Sequence, residues 1–164
     1  MTTLTLTQTG AREKRSLVSR ILATDASTVA TVLRITLGLI MLPHGAQKIL
    51  GWFGGYGFDG TVGFISSSLG IPPFLAALSP ITEFFLAIAL IAGLGTRFAA
   101  VAMAINMFVA ASMHFGNGFF MNWSGAQAGE GFEYHLLAIA MSVVLVITGG
   151  GKWSLDRLIA KEDQ

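Results

Sequence analysis

The stretch TVLRITLGLIMLPHGAQKILG, residues 31–51, constrains this chain most, because it is long enough to cross a bilayer and yet carries four strongly polar side chains. At a rise of 1.5 Å per residue, about 20 residues span a hydrocarbon core of about 30 Å, which argues for a transmembrane helix. Arg34, His44, Gln47 and Lys48 then need partners, since a charge at the bilayer centre costs roughly 3 kcal/mol on insertion scales. At about 100° of turn per residue, Arg34, Met41, His44 and Lys48 fall within an arc of roughly 80°. That face is expected to point at protein. Partners that only hold a bundle together satisfy the requirement as well as a functional site does.

Composition supports the same class. Apolar residues make up 53% of the 164 and charged residues only 12%, against about a quarter charged in soluble domains. Three further spans are expected near residues 74–95, 97–115 and 133–149. The predicted architecture is therefore all-α: an antiparallel bundle of four transmembrane helices with short interfacial helices. Residues 28–151 form the bundle, preceded by a basic cytoplasmic tail over 1–27 and followed by an amphipathic cytoplasmic tail over 152–164. The N-terminal segment has no apolar core of its own before Thr28, so the first span serves as its own insertion signal.

Charge placement sets the expected orientation. Arg12, Lys14, Arg15, Arg20, Arg97, Lys152, Arg157 and Lys161 would share one side, with Lys48 alone near the other, so both termini are expected in the cytoplasm. The net charge of +1 gives no support to nucleic-acid binding. The absence of cysteine removes dithiol chemistry, thiolate metal ligands and Fe–S ligation from this chain.

The loop after the first span is rich in glycine and aromatics, and Asp59 is expected to cap a short helix through Leu69 that rests on the bundle mouth as a connection or as a lid. Pro80 precedes Glu83, which lies about 16 Å from either surface. A carboxylate at that depth needs a partner, and an ion pair with Arg34 is the expected one. The alanines of the third span permit close packing. Gly149 to Gly151 break the fourth helix, Ser154 is placed to cap a short amphipathic one, and Trp153 suits the interface.

His44, Lys48, His114, Glu133 and His135 all come to the outer ends of their spans. Histidines and carboxylates from different helices can bind a metal, relay protons or hydrogen-bond the carbonyls of a quinone. No HExxH or Glu-x-x-His pair is present, and Glu133 and His135 are spaced to point apart, so no metal or haem is expected. His135 suits a hydrogen-bonded anchor, Lys48 can snorkel outward, and the scattered methionines suit packing.

Several motifs then line up: R-x3-G at Arg34 and Gly38, H-G-x2-K at His44 to Lys48, E-x9-G-x3-R from Glu83 through Gly93 to Arg97, His114, Gly131 with Glu133, and G-x2-S-x-D at Gly151 to Asp156. In this order they resemble the DoxX family over about residues 32–158. The resemblance implies a prokaryotic inner-membrane protein of four helices, with relatives that include the DoxD-like subunit of thiosulfate:quinone oxidoreductase and membrane partners of redox-stress enzymes. This chain contains neither the soluble partner sequence of that enzyme nor a cysteine to hold a sulfur intermediate, so thiosulfate oxidation by it alone is not expected. The expected site comprises Glu83 and Glu133 as proton-handling catalytic groups. Arg34, His44, Lys48 and His114 are the cofactor-binding set, with a quinone as the cofactor and a redox or other membrane-complex subunit as partner. The alternative is a non-enzymatic membrane anchor or accessory subunit, in contact with lipids and a larger complex.

Overall fold

The computed structural model describes residues 22–162. Arg12, Lys14, Arg15 and Arg20 of the expected basic tail lie outside the described residues. The chain is helical throughout, with no strand among the described residues. Helix α1 spans Thr28–Leu50, α2 Gly57–Leu69, α3 Pro73–Ala92, α4 Thr96–His114, α5 Glu133–Thr148 and α6 Leu155–Glu162. Among the described residues three helices are long and apolar enough to cross a membrane: α1, α3, and α4 extended to Asn117. Helix α5 is apolar but has only 16 residues.

Local chemistry accounts for the boundaries. Ser27 caps α1, its hydroxyl accepting the Ala30 N–H at 3.2 Å, and Gly51 ends it in the left-handed conformation. Asp59 lies inside the first turn of α2, while the capping position is Tyr56, which has no side-chain cap bond; the carboxylate thus faces the positive helix end without closing it. Ser154 caps α6 as expected, accepting the Arg157 N–H at 3.2 Å. Helix α3 is interrupted: α-helical turns at Pro73–Ala76 and Leu78–Ile81 give way to a π-helical segment over Thr82–Leu86. This widened turn begins two residues after Pro80, whose missing N–H disturbs the ladder, and such segments recur at functional positions.

The core is thin and made of small residues. Ala30, Ala87, Ala99, Ala100, Ala111 and Ala138 are buried with Leu37, Leu90, Met103, Met107 and Leu145, and α4 packs most extensively on α5. Small side chains let the backbones approach. Large apolar residues such as Phe98, Ile105, Phe108, Leu137 and Ile147 face outward, as lipid contact requires.

Helices α1 and α3 touch backbone to backbone. A Cβ on Gly45 would lie 2.5 Å from the Phe84 Cα, and one on Gly38 would lie 2.8 Å from the Ala87 oxygen. Gly45→Ala is therefore expected to push the two helices apart and to destabilise the bundle by about 1–3 kcal/mol, as overpacking does. Unfolding titrations in detergent test this, and an unchanged midpoint would show that the contact can relax.

The end of the bundle where α1 begins and α6 lies is closed by caps drawn from distant segments. Arg34 donates through Nε to the Gly150 oxygen at 2.6 Å, through Nη1 to Leu90 and Ile91 oxygens at 2.9 and 2.5 Å, and through Nη2 to the Trp153 oxygen at 2.5 Å. Arg97 does the same for α5, donating to the Val146 oxygen and to the Ile147 oxygen at 2.9 Å. Asp156 accepts the Gly95 and Thr96 N–H groups at 2.6 and 2.8 Å, capping α4. Orphan groups at helix ends have no water to turn to inside a bilayer, so side chains must supply the partners. Residues 23–27 join this end: Arg97 Nη2 donates to the Ala23 oxygen at 3.0 Å, and the Thr24 hydroxyl accepts the Gly151 N–H at 2.7 Å.

Gly93 sits at the centre, in the left-handed conformation, where a Cβ would lie 2.5 Å from the Ser154 Cβ and 3.0 Å from the Arg34 Cζ. The motif residues Arg34, Gly38, Gly93, Arg97, Ser154 and Asp156 are thus accounted for by capping and close packing.

Candidate functional site

The opposite end of the bundle holds the polar cluster. Because Gly45 brings α1 against Phe84, Lys48, one turn further along α1, reaches Glu83 in the π-helical segment of α3. The Lys48 Nζ to Glu83 Oε1 distance is 2.5 Å. Asn106, from α4, donates to the same oxygen at 2.9 Å. Glu83 is 1% exposed, whereas the Lys48 side chain is 32% exposed. The carboxylate is thus sealed in the protein, and the ammonium stands between it and the open space above.

The expected Glu83–Arg34 pair does not form. Glu83 pairs with Lys48, and Arg34 is spent on the carbonyls at the other end of α1. Fourteen residues separate Arg34 from Lys48, about 21 Å along the helix. The two arms of the polar arc therefore serve different ends of the molecule.

Above the ion pair is a cavity of about 340 Å³. Its polar lining includes Gln47, Lys48, Tyr56, Thr61, Ser79, Asn106 and His114, and its apolar lining includes Phe64, Ile65, Val109 and Met113. Helix α2 supplies Thr61, Phe64 and Ile65, so the connection over the bundle mouth also forms a wall of this space. A mostly apolar cavity with a few convergent polar groups is the usual form of a small-molecule site.

His114 lies at the rim. Its Nδ1 is 3.0 Å from the Glu130 carbonyl oxygen, and its ring centroid is 5.0 Å from that of His135, tilted by 31°. His135, expected as a hydrogen-bonded anchor, has a buried Nδ1 without a hydrogen-bond partner among the described residues. Glu133 accepts the Met121 N–H at 3.0 Å and Glu130 accepts the Asn122 N–H at 2.7 Å; both carboxylates pin the loop of residues 115–132.

The structure thus brings together Lys48, Glu83 and His114 of the sequence-predicted residues, and leaves three apart. Arg34 is at the far end, Glu133 is bound to the loop backbone, and His44 is exposed on the outer surface of α1. His44 occupies the edge of the 80° arc, where a small rotation separates protein from lipid. Among the described residues no group of three histidine and carboxylate side chains is arranged to hold a metal ion. Asn106, Gln47, Tyr56, Ser79 and Thr61 are the polar lining residues missed as site members. Asn106 had a signal, being a lone amide in an alanine-rich span; Ser79 and Thr61 had none.

Neither a curated protein nor a solved structure matches the chain. The DoxX family model matches residues 29–123, a stretch that carries α1 to α4 and with them Lys48, Glu83, Asn106 and His114. It covers more than half of the sequence, and the chain belongs to the DoxX family.

Proposed function

We propose that this protein is a four-span subunit of a bacterial inner membrane, with both ends in the cytoplasm, whose cavity binds a quinone-like head group in support of redox chemistry. Orientation rests on Arg97, Lys152 and Arg157 at the end where α1 begins. Lys48, the lone lysine or arginine of the other end among the described residues, is paired with Glu83 and carries no opposing signal. Helix α5 serves as the fourth span, packed along α4. The cavity then opens on the periplasmic side.

One observation carries the reading: a sealed carboxylate, Glu83, communicates with a partly apolar cavity only through Lys48 and Asn106. Lys48 and Asn106 can each bond a ring oxygen while still bonding Glu83, because an ammonium has three N–H groups and an amide two. Glu83 holds the ammonium in place and is the proton reservoir behind it. Phe64, Ile65, Val109 and Met113 suit the faces of a flat ring.

The test is extraction of bound quinone from protein purified in mild detergent, together with quinone-binding titrations of Glu83→Gln. At least a tenfold loss of affinity is expected in the variant, since Lys48 loses its anchor. Unchanged binding would remove Glu83 from the site, and a protein that binds no quinone would end the reading.

A second reading, an accessory subunit of a larger complex, is favoured by His44. Its ring faces outward about 9 Å from the end of α1, where an imidazole in contact with lipid is unfavourable and a partner helix would satisfy it. Loss of a co-purifying subunit on His44→Leu, with quinone binding intact, would support it.

A further inference from the structure

We propose that His114 makes the cavity selective for the reduced, hydroxyl-bearing state of its ligand, a quinol, over the oxidised quinone. The inference rests on the cavity being a quinone-type site, and it follows from the position of one proton.

A carbonyl oxygen only accepts hydrogen bonds, so the 3.0 Å contact between His114 Nδ1 and the Glu130 oxygen places the proton of the neutral ring on Nδ1. Asn117 Nδ2 donates to the same oxygen at 2.9 Å, which fixes the acceptor from a second side. Nε2 of the neutral imidazole is then a bare lone pair. His114 lines the cavity, and with Nδ1 committed to the loop, Nε2 is the only ring nitrogen it has for a ligand. It can accept a hydrogen bond there and cannot donate one.

Lys48 is of the opposite kind, while the hydroxyls and amides of the lining both donate and accept. Lys48 can only donate, and its Nζ is held at 2.5 Å from Glu83, with its remaining N–H groups free for an oxygen in the cavity. Asn106 has one N–H on Glu83 and keeps one donor and one acceptor. A ligand that suits both walls offers an oxygen acceptor to Lys48 and an O–H donor to His114. A quinol has both. A quinone has acceptors at both ends and would set a carbonyl oxygen against the Nε2 lone pair. Once a bound ligand displaces water from the cavity, an unmet polar contact is penalised far more than a missing methylene, and this is how sites built for a hydroxyl reject analogues that lack it.

The experiment is anaerobic binding of an alkyl-substituted benzoquinol, the matching benzoquinone and the quinol dimethyl ether to the full-length protein in nanodiscs. The quinol is expected to bind at least tenfold more tightly than the other two. His114→Phe is expected to bring the quinol to the affinity of the quinone, and His114→Gln, which retains an acceptor oxygen, to keep part of the preference. Binding of all three ligands with equal affinity, or a preference that survives His114→Phe, would overturn the inference and leave the quinone-type site standing. No binding of any of them would overturn both. Should His114→Phe fail to fold, the dimethyl ether against the quinol in the wild-type protein decides the matter alone.

Discussion

Arg34→Ala is expected to lower the stability of the bundle by about 3–5 kcal/mol, the cost of emptying a buried site and orphaning the groups it served. The guanidinium is 1% exposed and donates to four carbonyl oxygens on three segments: the end of α3, the turn at Gly150 and the entry to α6. No single smaller group can replace it. Lysine is expected to recover little, since an ammonium on a flexible stem lacks the planar fork that reaches opposite sides at once. Reversible unfolding in detergent would measure the loss. A decrease below about 1 kcal/mol would mean that the carbonyls find water or other donors. The folded fraction of Arg34→Ala should still bind its ligand with normal affinity, because Lys48 and the cavity lie about 21 Å away along α1. A selective loss of ligand binding in that fraction would return Arg34 to the cofactor-binding set.

Lys48→Met should produce the second large effect, about 2–4 kcal/mol, by leaving the Glu83 carboxylate buried without its cation. The contrast with the double variant is the informative part. Adding Glu83→Gln removes the stranded charge and keeps an acceptor for Asn106, so the double variant is expected to be more stable than Lys48→Met alone. A coupling of roughly 2 kcal/mol in the double-mutant cycle would identify a true ion pair. Additive single effects would show that the contact between the two groups contributes nothing to stability.

Three of the spans and the cap at Ser154 were legible because they rest on local rules. An apolar stretch of α1's length and Ser154 ahead of an amphipathic segment each carry their meaning in a few residues. The ion pair was not legible, and its error is instructive. Arg34 and Glu83 are both well inside their spans, and depth alone suggested that they meet. Antiparallel register decides otherwise. Gly45 packs on Phe84 and Gly38 on Ile91, so each step back along α1 is a step forward along α3. That register carries Arg34 beyond Ile91 to the helix end and brings Lys48 to the level of Glu83. Two glycines without side chains set it, and sequence patterning weighs side chains.

His44 shows a different limit. Sharing an 80° arc with Arg34 and Lys48 did not bring it inward, because the arc was wider than the strip that α3 covers. The π-helical segment around Glu83 was also hidden, although Pro80 stood two residues before it. The capping role of Asp156 depends on a contact with Gly95 and Thr96, some sixty residues away, that no local pattern announces.

Helix α5 has a consequence for the membrane itself. Sixteen residues make a helix about 24 Å long, some 6 Å short of an average hydrocarbon core. Counted as a crossing, it imposes hydrophobic mismatch on one flank of the protein, and the lipid beside it must thin to meet it. His135 stands at the start of that helix and His114 beside it. Headgroups and water would be drawn down toward this pair, giving the cavity rim a wetter approach than its distance from the bilayer centre implies.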